Sequence, residues 1–353
     1  MRVQIYSGSM RLVAKSGVGQ AMLHQKKMLG CVGIEATDSW DNQAPIHLNT
    51  VFPDAVLTAL AAKIRGRKVI YYGHSTEEDF KGSFIGSNLL APLFKRWITF
   101  CYGLGDAVIT PTEYSRRLLI GYGIKKPVYS LTNGIDTSFF APSEEAGRRF
   151  RSRYGLSDRD KVVISVGHFI QRKGLPEFVE LARKMPEVRF FWFGETPLSM
   201  VPETIREAIR SAPVNLTFAG FVSQGELRDA YCGADLFAFL SQEETEGIVV
   251  LEALACGVPV LVRDIPVYSG WLRDGEQVYM ADDQDGFYRR TADILSGKLP
   301  PLTEAALRTA ESRSMAATGR KLCGIYHQLG IDEEVGQTVG AGSSPERKSC
   351  CLL

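Results

Sequence analysis

A rhythm that runs twice constrains this chain more than anything else in it. Short apolar, β-branched runs alternate with amphipathic stretches, and the series starts again near Lys161. The first set of predicted strands is Val3–Tyr6, Ile46–Asn49, Lys68–Tyr72, Ala107–Thr110 and Val128–Leu131. The second is Lys161–Val166, Val188–Phe193, Leu216–Ala219, Leu236–Phe239 and Pro259–Val262. Between them lie helical periods, as in Leu175–Met185, where Phe178, Leu181 and Ala182 share a face. Strands alternating with helices imply parallel sheets covered on both faces, and such sheets bind ligands at the carboxyl ends of their strands. The fold class is therefore α/β, with two Rossmann-like domains whose parallel sheets face a central cleft. A length of 353 residues agrees, being too long for one ordinary core.

The stretch from Ala141-Pro-Ser-Glu-Glu to Asp158-Arg-Asp-Lys161 is polar and poor in apolar runs, and it reads as a linker. The expected division is 1–150, 151–310, a helix over 311–330 packing back on the first domain, and a disordered tail over 331–353. That tail is rich in Gly, Ser and charge.

Composition removes several function classes. Lys plus Arg is 41 and Asp plus Glu is 40, a balance that argues against a nucleic-acid partner. The balance conceals an asymmetry: residues 1–150 carry a net charge of +6 and the remainder −5. A basic first half suits an anionic partner surface. No apolar run is long enough to span a bilayer, and the start, Met1-Arg-Val-Gln-Ile-Tyr, is strand-like and not a signal peptide. The seven Cys form no CxxC pair and read as free thiols of a reducing compartment. The five His show no clustered ligand spacing, so no metal site is expected.

The strongest chemical signal is Glu244-Thr-Glu-Gly247-Ile248-Val249-Val-Leu-Glu252. Gly247 allows close backbone approach, and the amides of Ile248 and Val249 open a helix whose N-terminus attracts phosphate. Glu252 then lies one or two turns into that helix, where it can accept hydrogen bonds from sugar hydroxyls. Glu244 stands in the loop before it. A second signal, Val166-Gly-His168-Phe-Ile-Gln-Arg172-Lys173-Gly174, follows a predicted strand and precedes a helix. A cation there can neutralise a diphosphate leaving group as its bond breaks. Ser16-Gly17-Val-Gly19 opens a helix but lies about ten residues beyond its strand, with Met22 where a dinucleotide fingerprint needs Gly. His74 follows the strand Lys68–Tyr72 and so faces the expected cleft. Asn133-Gly-Ile-Asp136 reads as a turn, with Gly134 for its shape and Asp136 as a cap.

Together Glu244, Glu252-Ala-Leu-Ala-Cys-Gly257 and Pro259-Val260 resemble the signature of the family-four retaining glycosyltransferases, which have the GT-B fold. The resemblance implies that Glu244 contacts a donor sugar, Glu252 the ribose of its nucleotide, and Lys173 the phosphates. It further implies donor contacts by Gly17, Gly19 and Gly247, and a sugar-positioning role for His74. The family has Arg directly after the first glycine of the lysine motif; here that position is His168, with Arg172 as a second cation. Catalysis would rest on His74, Lys173 and Glu244.

Three segments narrow the resemblance to the bacterial diacylglycerol glucosyltransferases: Lys15-Ser-Gly-Val-Gly-Gln20, His74-Ser-Thr-Glu-Glu-Asp-Phe80, and Arg172-Lys-Gly with Phe190-Phe-Trp-Phe-Gly194. The narrower resemblance implies retaining transfer of glucose from UDP-glucose to the 3-hydroxyl of diacylglycerol, with no cofactor and no metal. The implied location is cytoplasmic, peripheral on the inner face of the plasma membrane. The apolar and aromatic stretch 86–102, with Lys95, Arg96 and Trp97, has the composition of a segment lying at an anionic membrane surface. Lys26 and Lys27 add charge to the same domain. Alternatives within the same architecture are another donor or acceptor, such as a glycan or phosphoinositide, and a nucleotide-sugar epimerase. A non-catalytic lipid-surface protein is disfavoured by the intact Lys173, Glu244 and Glu252. The end Lys348-Ser-Cys350-Cys351-Leu-Leu353 fits a prenylation pattern, which in a bacterial setting reads as chance.

Overall fold

The computed structural model describes residues 1–9, 17–84 and 86–331. The first half runs β1 (Arg2–Tyr6), α1 (Gly17–Cys31), β2 (Glu35–Thr37), β3 (Ile46–Leu48), α2 (Pro53–Ile64) and β4 (Val69–Tyr72). It continues with α3 (Glu77–Phe80), α4 (Ser87–Gly103), β5 (Ala107–Thr110), α5 (Glu113–Gly121) and β6 (Val128–Ser130). The second half opens with α6 (Glu144–Arg153), β7 (Val162–Val166), α7 (Leu175–Lys184), β8 (Arg189–Phe193), α8 (Glu203–Arg210) and β9 (Leu216–Gly220). Then come α9 (Gln224–Gly233), β10 (Leu236–Phe239), α10 (Ile248–Cys256), β11 (Val260–Arg263), β12 (Tyr279–Ala281) and α11 (Gln284–Leu295). Helices α12 (Thr303–Glu311) and α13 (Met315–Gln328) end the described chain.

Each half is one parallel six-stranded sheet. The central strands, such as Val-Ile-Tyr-Tyr of β4 and Leu-Phe-Ala-Phe of β10, are buried at every residue because helices cover both faces. Strand order in the first sheet is β2-β1-β3-β4-β5-β6, and in the second β12-β11-β10-β7-β8-β9. The order reverses between β1 and β3 in the first sheet and between β7 and β10 in the second. Those two reversals are where crevices open at the carboxyl ends of strands.

All ten predicted strands form. The two additional ones, β2 and β12, are edge strands of three residues each, and Glu-Ala-Thr of β2 has no apolar run to announce it. The segment read as a linker is a correction. It folds as α6, capped by Ser143, with Ala146, Gly147 and Phe150 buried against the second half. A Cβ on Gly147 would lie 2.7 Å from the Cys232 carbonyl, so α6 and α9 meet backbone to backbone. The polar residues that suggested a linker are instead paired outward, Arg149 to Asp229 and Arg151 to Asp235, each at 2.9 Å. A division at residue 150 would cut this helix.

Within the described residues the chain crosses between halves twice, and the crossings touch. Ile135 N–H donates to the Arg313 carbonyl at 2.9 Å, and Met315 N–H to the Ile135 carbonyl at 3.0 Å. Beyond the second crossing α13 lies on α1 and completes the first half's core, with Leu322, Ile325, Tyr326 and Ile331 against Val3, Ile5 and Met28. Tyr326 is hydrogen-bonded to the buried His47 at 2.7 Å. Ile331, expected to belong to the tail, is therefore part of that core. Residues 332–353, Lys15 and Ser16 lie outside the described residues. No helix among the described residues is long and apolar enough to cross a membrane.

Candidate active site

The reversal of the second sheet gathers the charged residues. After β7 the chain makes a short 3-10 turn over Gln171–Lys173 and reaches Gly174. Gly174 has φ +73°, and a Cβ there would lie 2.5 Å from the Leu240 carbonyl, so only glycine lets this turn rest on the end of β10. Gln242 N–H donates to the Arg172 carbonyl at 2.7 Å, joining the two loops. The Lys173 ammonium then pairs with Glu244 Oε1, which also accepts from Ser241 Oγ at 2.7 Å and has Arg172 Nη1 at 3.8 Å. Burial pushes the Lys173 ammonium below its ordinary value against the pull of Glu244. Burial works to raise Glu244, but Lys173, Arg172 and two hydrogen bonds outweigh it and hold the carboxyl below the usual range. A buried pair of this kind adds little net stability, yet removing one partner costs about 3–5 kcal/mol.

Gly247, with φ +84°, starts α10. Ile248 and Val249 form the first turn of α10, where amides have no acceptor within the helix. A Cβ on Gly247 would approach the buried Tyr268 hydroxyl to 3.4 Å. Glu252, further along α10, accepts a hydrogen bond from Tyr231 OH at 2.9 Å, and burial pushes its carboxyl up to about 7.

The two other residues expected at the phosphates, His168 and Arg172, diverge. His168 is at the rim, with Nδ1 3.0 Å from the Glu195 carbonyl, and is not brought against Lys173 by any contact the structure records. Arg172 reaches across the cleft, to Asp79 of α3 at 2.8 Å and to Ser83 Oγ just after that helix at 3.2 Å.

Apart from Asp79, the first half presents neutral groups. Gly17 and Gly19 open α1 at the reversal of the first sheet. His74 stacks on Tyr72 and places Nε2 3.0 Å from Asn49 Oδ1, at the end of β3. Asn49 is held in turn by Gln25 of α1, at 2.5 and 3.2 Å. Burial pushes the His74 imidazole down to about 4, so it is neutral at physiological pH. His74 therefore offers a hydrogen bond and not a charge.

Sequence reasoning misses Asn49, Gln25, Ser241, Tyr231, Asp79 and the neighbours of Glu244 as site residues. Glu243 accepts from Tyr114 OH at 3.2 Å across the cleft, and burial pushes its carboxyl up to about 7. Thr112 Oγ1 donates to the Thr245 carbonyl at 2.9 Å, and Glu246 binds Thr132 and Asn133. The density of acids in Glu243-Glu-Thr-Glu246 is the one signal that could have found them.

The residues expected at a membrane are mixed. Lys26 pairs with Asp38 at 2.6 Å and Lys27 with Asp136 at 3.0 Å. Lys95 pairs with Glu77 at 3.1 Å and lies over the Tyr122 ring. These three charges thus have partners on the protein. Trp97 donates to the Val51 carbonyl at 2.7 Å with its ring still partly exposed, and Arg96 is exposed. What α4 presents most strongly is apolar: Leu89, Leu93 and Phe100 are 86%, 64% and 52% exposed. Helix α2 does the same with Leu57, Leu60 and Ile64. Both helices bury their opposite faces in one core, through Val56, Ala59, Ile98 and Cys101.

Residues 148–312 match the family Glycosyl transferases group 1, and residues 46–139 match Glycosyltransferase Family 4. The chain is 37% identical to a processive diacylglycerol alpha-glucosyltransferase of Acholeplasma laidlawii, over 93% of this chain and 98% of that one. It is 27% identical to an alpha-galactosylglucosyldiacylglycerol synthase of Streptococcus pneumoniae, over 76% of this chain and 74% of that one. In fold it is similar to Anabaena HepE, solved in complex with UDP and glucose, with a TM-score of 0.76 at 15% identity. That match covers 93% of this chain and all of the other.

Proposed function

Because the chain belongs to the family-four glycosyltransferases, we propose that it transfers glucose from UDP-glucose to the 3-hydroxyl of 1,2-diacylglycerol with retention. The observation that carries this reading is the meeting of Lys173, Glu244 and the start of α10 at the reversal of the second sheet. The reading puts the diphosphate against Lys173 and the first-turn amides of Ile248 and Val249. It puts the sugar against Glu244 and the ribose against Glu252. The groups that meet developing negative charge on the leaving UDP are then an ammonium and a helix N-terminus, and no metal is called on. Glu244 is already paired with Lys173, so donor phosphate would share the lysine with the carboxylate.

His74, neutral and fixed by Asn49, suits a hydrogen bond to a sugar hydroxyl and does not compete with Lys173 for charge. The named activity of the Acholeplasma relative supports a diacylglycerol acceptor. So do the exposed apolar stripes of α2 and α4 on the net-basic half, which suit peripheral docking on a lipid surface.

The test is UDP release from UDP-glucose, with and without dioleoylglycerol in anionic vesicles, and with EDTA throughout. Release that requires the lipid acceptor and survives EDTA supports the reading. Equal release without diacylglycerol overturns the acceptor, and loss in EDTA overturns metal independence.

A further inference from the structure

The segment Glu243–Glu246 divides its loyalties residue by residue. Glu243 is bonded to Tyr114, the Thr245 carbonyl to Thr112, and Glu246 to Thr132 and Asn133; all four partners belong to the first half. The Glu244 side chain turns the other way, to Ser241 and Lys173 of its own half, where the Glu243 carbonyl also accepts from Arg172 and Ser241. The firmest of the cross-cleft contacts is at Glu246. It is 1% exposed and accepts from the Thr132 hydroxyl, the Asn133 backbone N–H at 3.0 Å and Asn133 Nδ2 at 2.8 Å.

The turn that Glu246 grips is not an ordinary surface turn. Gly134 accepts through its carbonyl from His24 of α1, at 2.9 Å. Ile135 is bonded on both sides to the return crossing at Arg313 and Met315. Asp136 is paired with Lys27 of α1. Arg313 lies over the Trp271 ring at 4.5 Å and attracts the Glu246 carboxylate. One turn therefore touches the helix opened by Gly17 and Gly19, both chain crossings, and the loop that carries Glu244.

We infer that Glu246 is a positioning residue for the transfer reaction: by clamping the turn Thr132–Asp136 it sets Glu244 against Lys173 when the two halves are closed. A buried carboxylate with three donors cannot leave that turn cheaply, because separation strands a charge or three donors. The loop has only one residue between Glu244 and Glu246, so a shift at one is carried to the other. The consequence for catalysis rests on the donor-site reading above; the clamp itself does not.

The test uses the full chain and two independent readouts. Amide hydrogen exchange follows peptides covering 130–136 and 243–250 in Glu246→Ala, Asn133→Ala and the double variant, without ligand. A clamp predicts faster exchange in both peptides in either single variant, by about tenfold, the scale of one lost charged hydrogen bond. It also predicts that the double variant is no worse than the more affected single one. Kinetics with UDP-glucose should show kcat falling in Glu246→Ala more than KM rises, with partial recovery in Glu246→Gln, which keeps an acceptor for Asn133. Faster exchange confined to 243–250, or additive effects in the double variant, overturns the clamp. If exchange couples the two peptides while kcat is unchanged, the clamp stands and the positioning role falls. Thr132→Val probes the same contact from the other side should Glu246→Ala fail to fold. A parent inactive with UDP-glucose would overturn the donor reading while leaving the exchange result to stand on its own.

Discussion

At the reversal of the first sheet the chain gathers Gln25, Asn49 and His74, all buried and all neutral. At the reversal of the second it gathers the buried Glu244 with the partly buried Lys173 and Arg172, all charged. The same arrangement of parallel strands thus supports two kinds of chemistry. Neutral groups hydrogen-bonded to one another hold a shape with little dependence on pH or partner. A buried ion pair holds a charge that a ligand can redistribute, at the cost of instability whenever one partner is lost. The division assigns charge stabilisation to the second half and orientation to the first.

The harshest test of that division is to unbalance the charged side. Lys173→Met should lower transfer by about 10²- to 10³-fold, the scale of losing a preorganised charge at a leaving group. It should also destabilise the protein, by at most about 3–5 kcal/mol, since the buried Glu244 loses its nearest cation and keeps only Arg172 at 3.8 Å and Ser241. Adding Glu244→Gln should restore much of the melting temperature and none of the activity. A double variant as unstable as the single one would mean that charge balance is not what holds this side together.

Lipid attachment should separate the halves next. Leu89→Ser with Leu93→Ser removes two exposed leucines from α4, each worth about 1.5–3 kcal/mol on full burial. Sedimentation with anionic vesicles should show binding falling by well over about tenfold. Leu198→Ser, which removes a half-exposed leucine from the second half, should change nothing. Equal effects would spread the docking face over both halves. Arg96→Glu should weaken binding less, since a single basic residue near an anionic surface is worth about 1 kcal/mol.

The smallest effect is in the pH dependence of stability, where the two sides oppose each other. His74 is pushed from 6.5 down to about 4, so as pH falls the unfolded chain takes up the proton first. Stability from this group is therefore lost between pH 6.5 and 4, by up to about 1.4 kcal/mol per pH unit. Glu252 is pushed from 4.5 up to about 7, so there the folded chain takes the proton first, and stability is gained as pH falls from 7 to 4.5. Melting temperatures between pH 7 and 4.5 should fall more steeply in Glu252→Gln than in the parent, and less steeply in His74→Gln. Parallel curves for all three proteins would remove the opposition.

The contrast also explains which residues the sequence makes legible. Lys173, Glu244 and Glu252 stand out because charged residues at strand ends beside glycines are hard to explain otherwise. Asn49 and Gln25 do not, since amides at such positions carry no signature. Glu246 sits two residues from Glu244 and escapes notice, because alternation within a loop does not say which side chains face which half. Helix α6 resembles a linker for a related reason. Only Ala146, Gly147 and Phe150 of its ten residues are buried, and Arg149 finds its acid on α9, 80 residues away. Lys26, Lys27 and Lys95 look free for a lipid surface until Asp38, Asp136 and Glu77 are found opposite them.

By itself the sequence determined two parallel α/β sheets, the location of the charged residues at the ends of β7 and β10, and the glycines that let loops approach there. These are local properties, set by period, burial and backbone freedom within a few residues. The tertiary structure alone decided which charges are spent on the protein itself, that Arg172 crosses to Asp79, that His74 is neutral, and that Glu246 grips the turn beside both crossings. Those outcomes depend on distances between segments far apart in the chain and on the loss of water around them, neither of which a residue's neighbours in sequence can report.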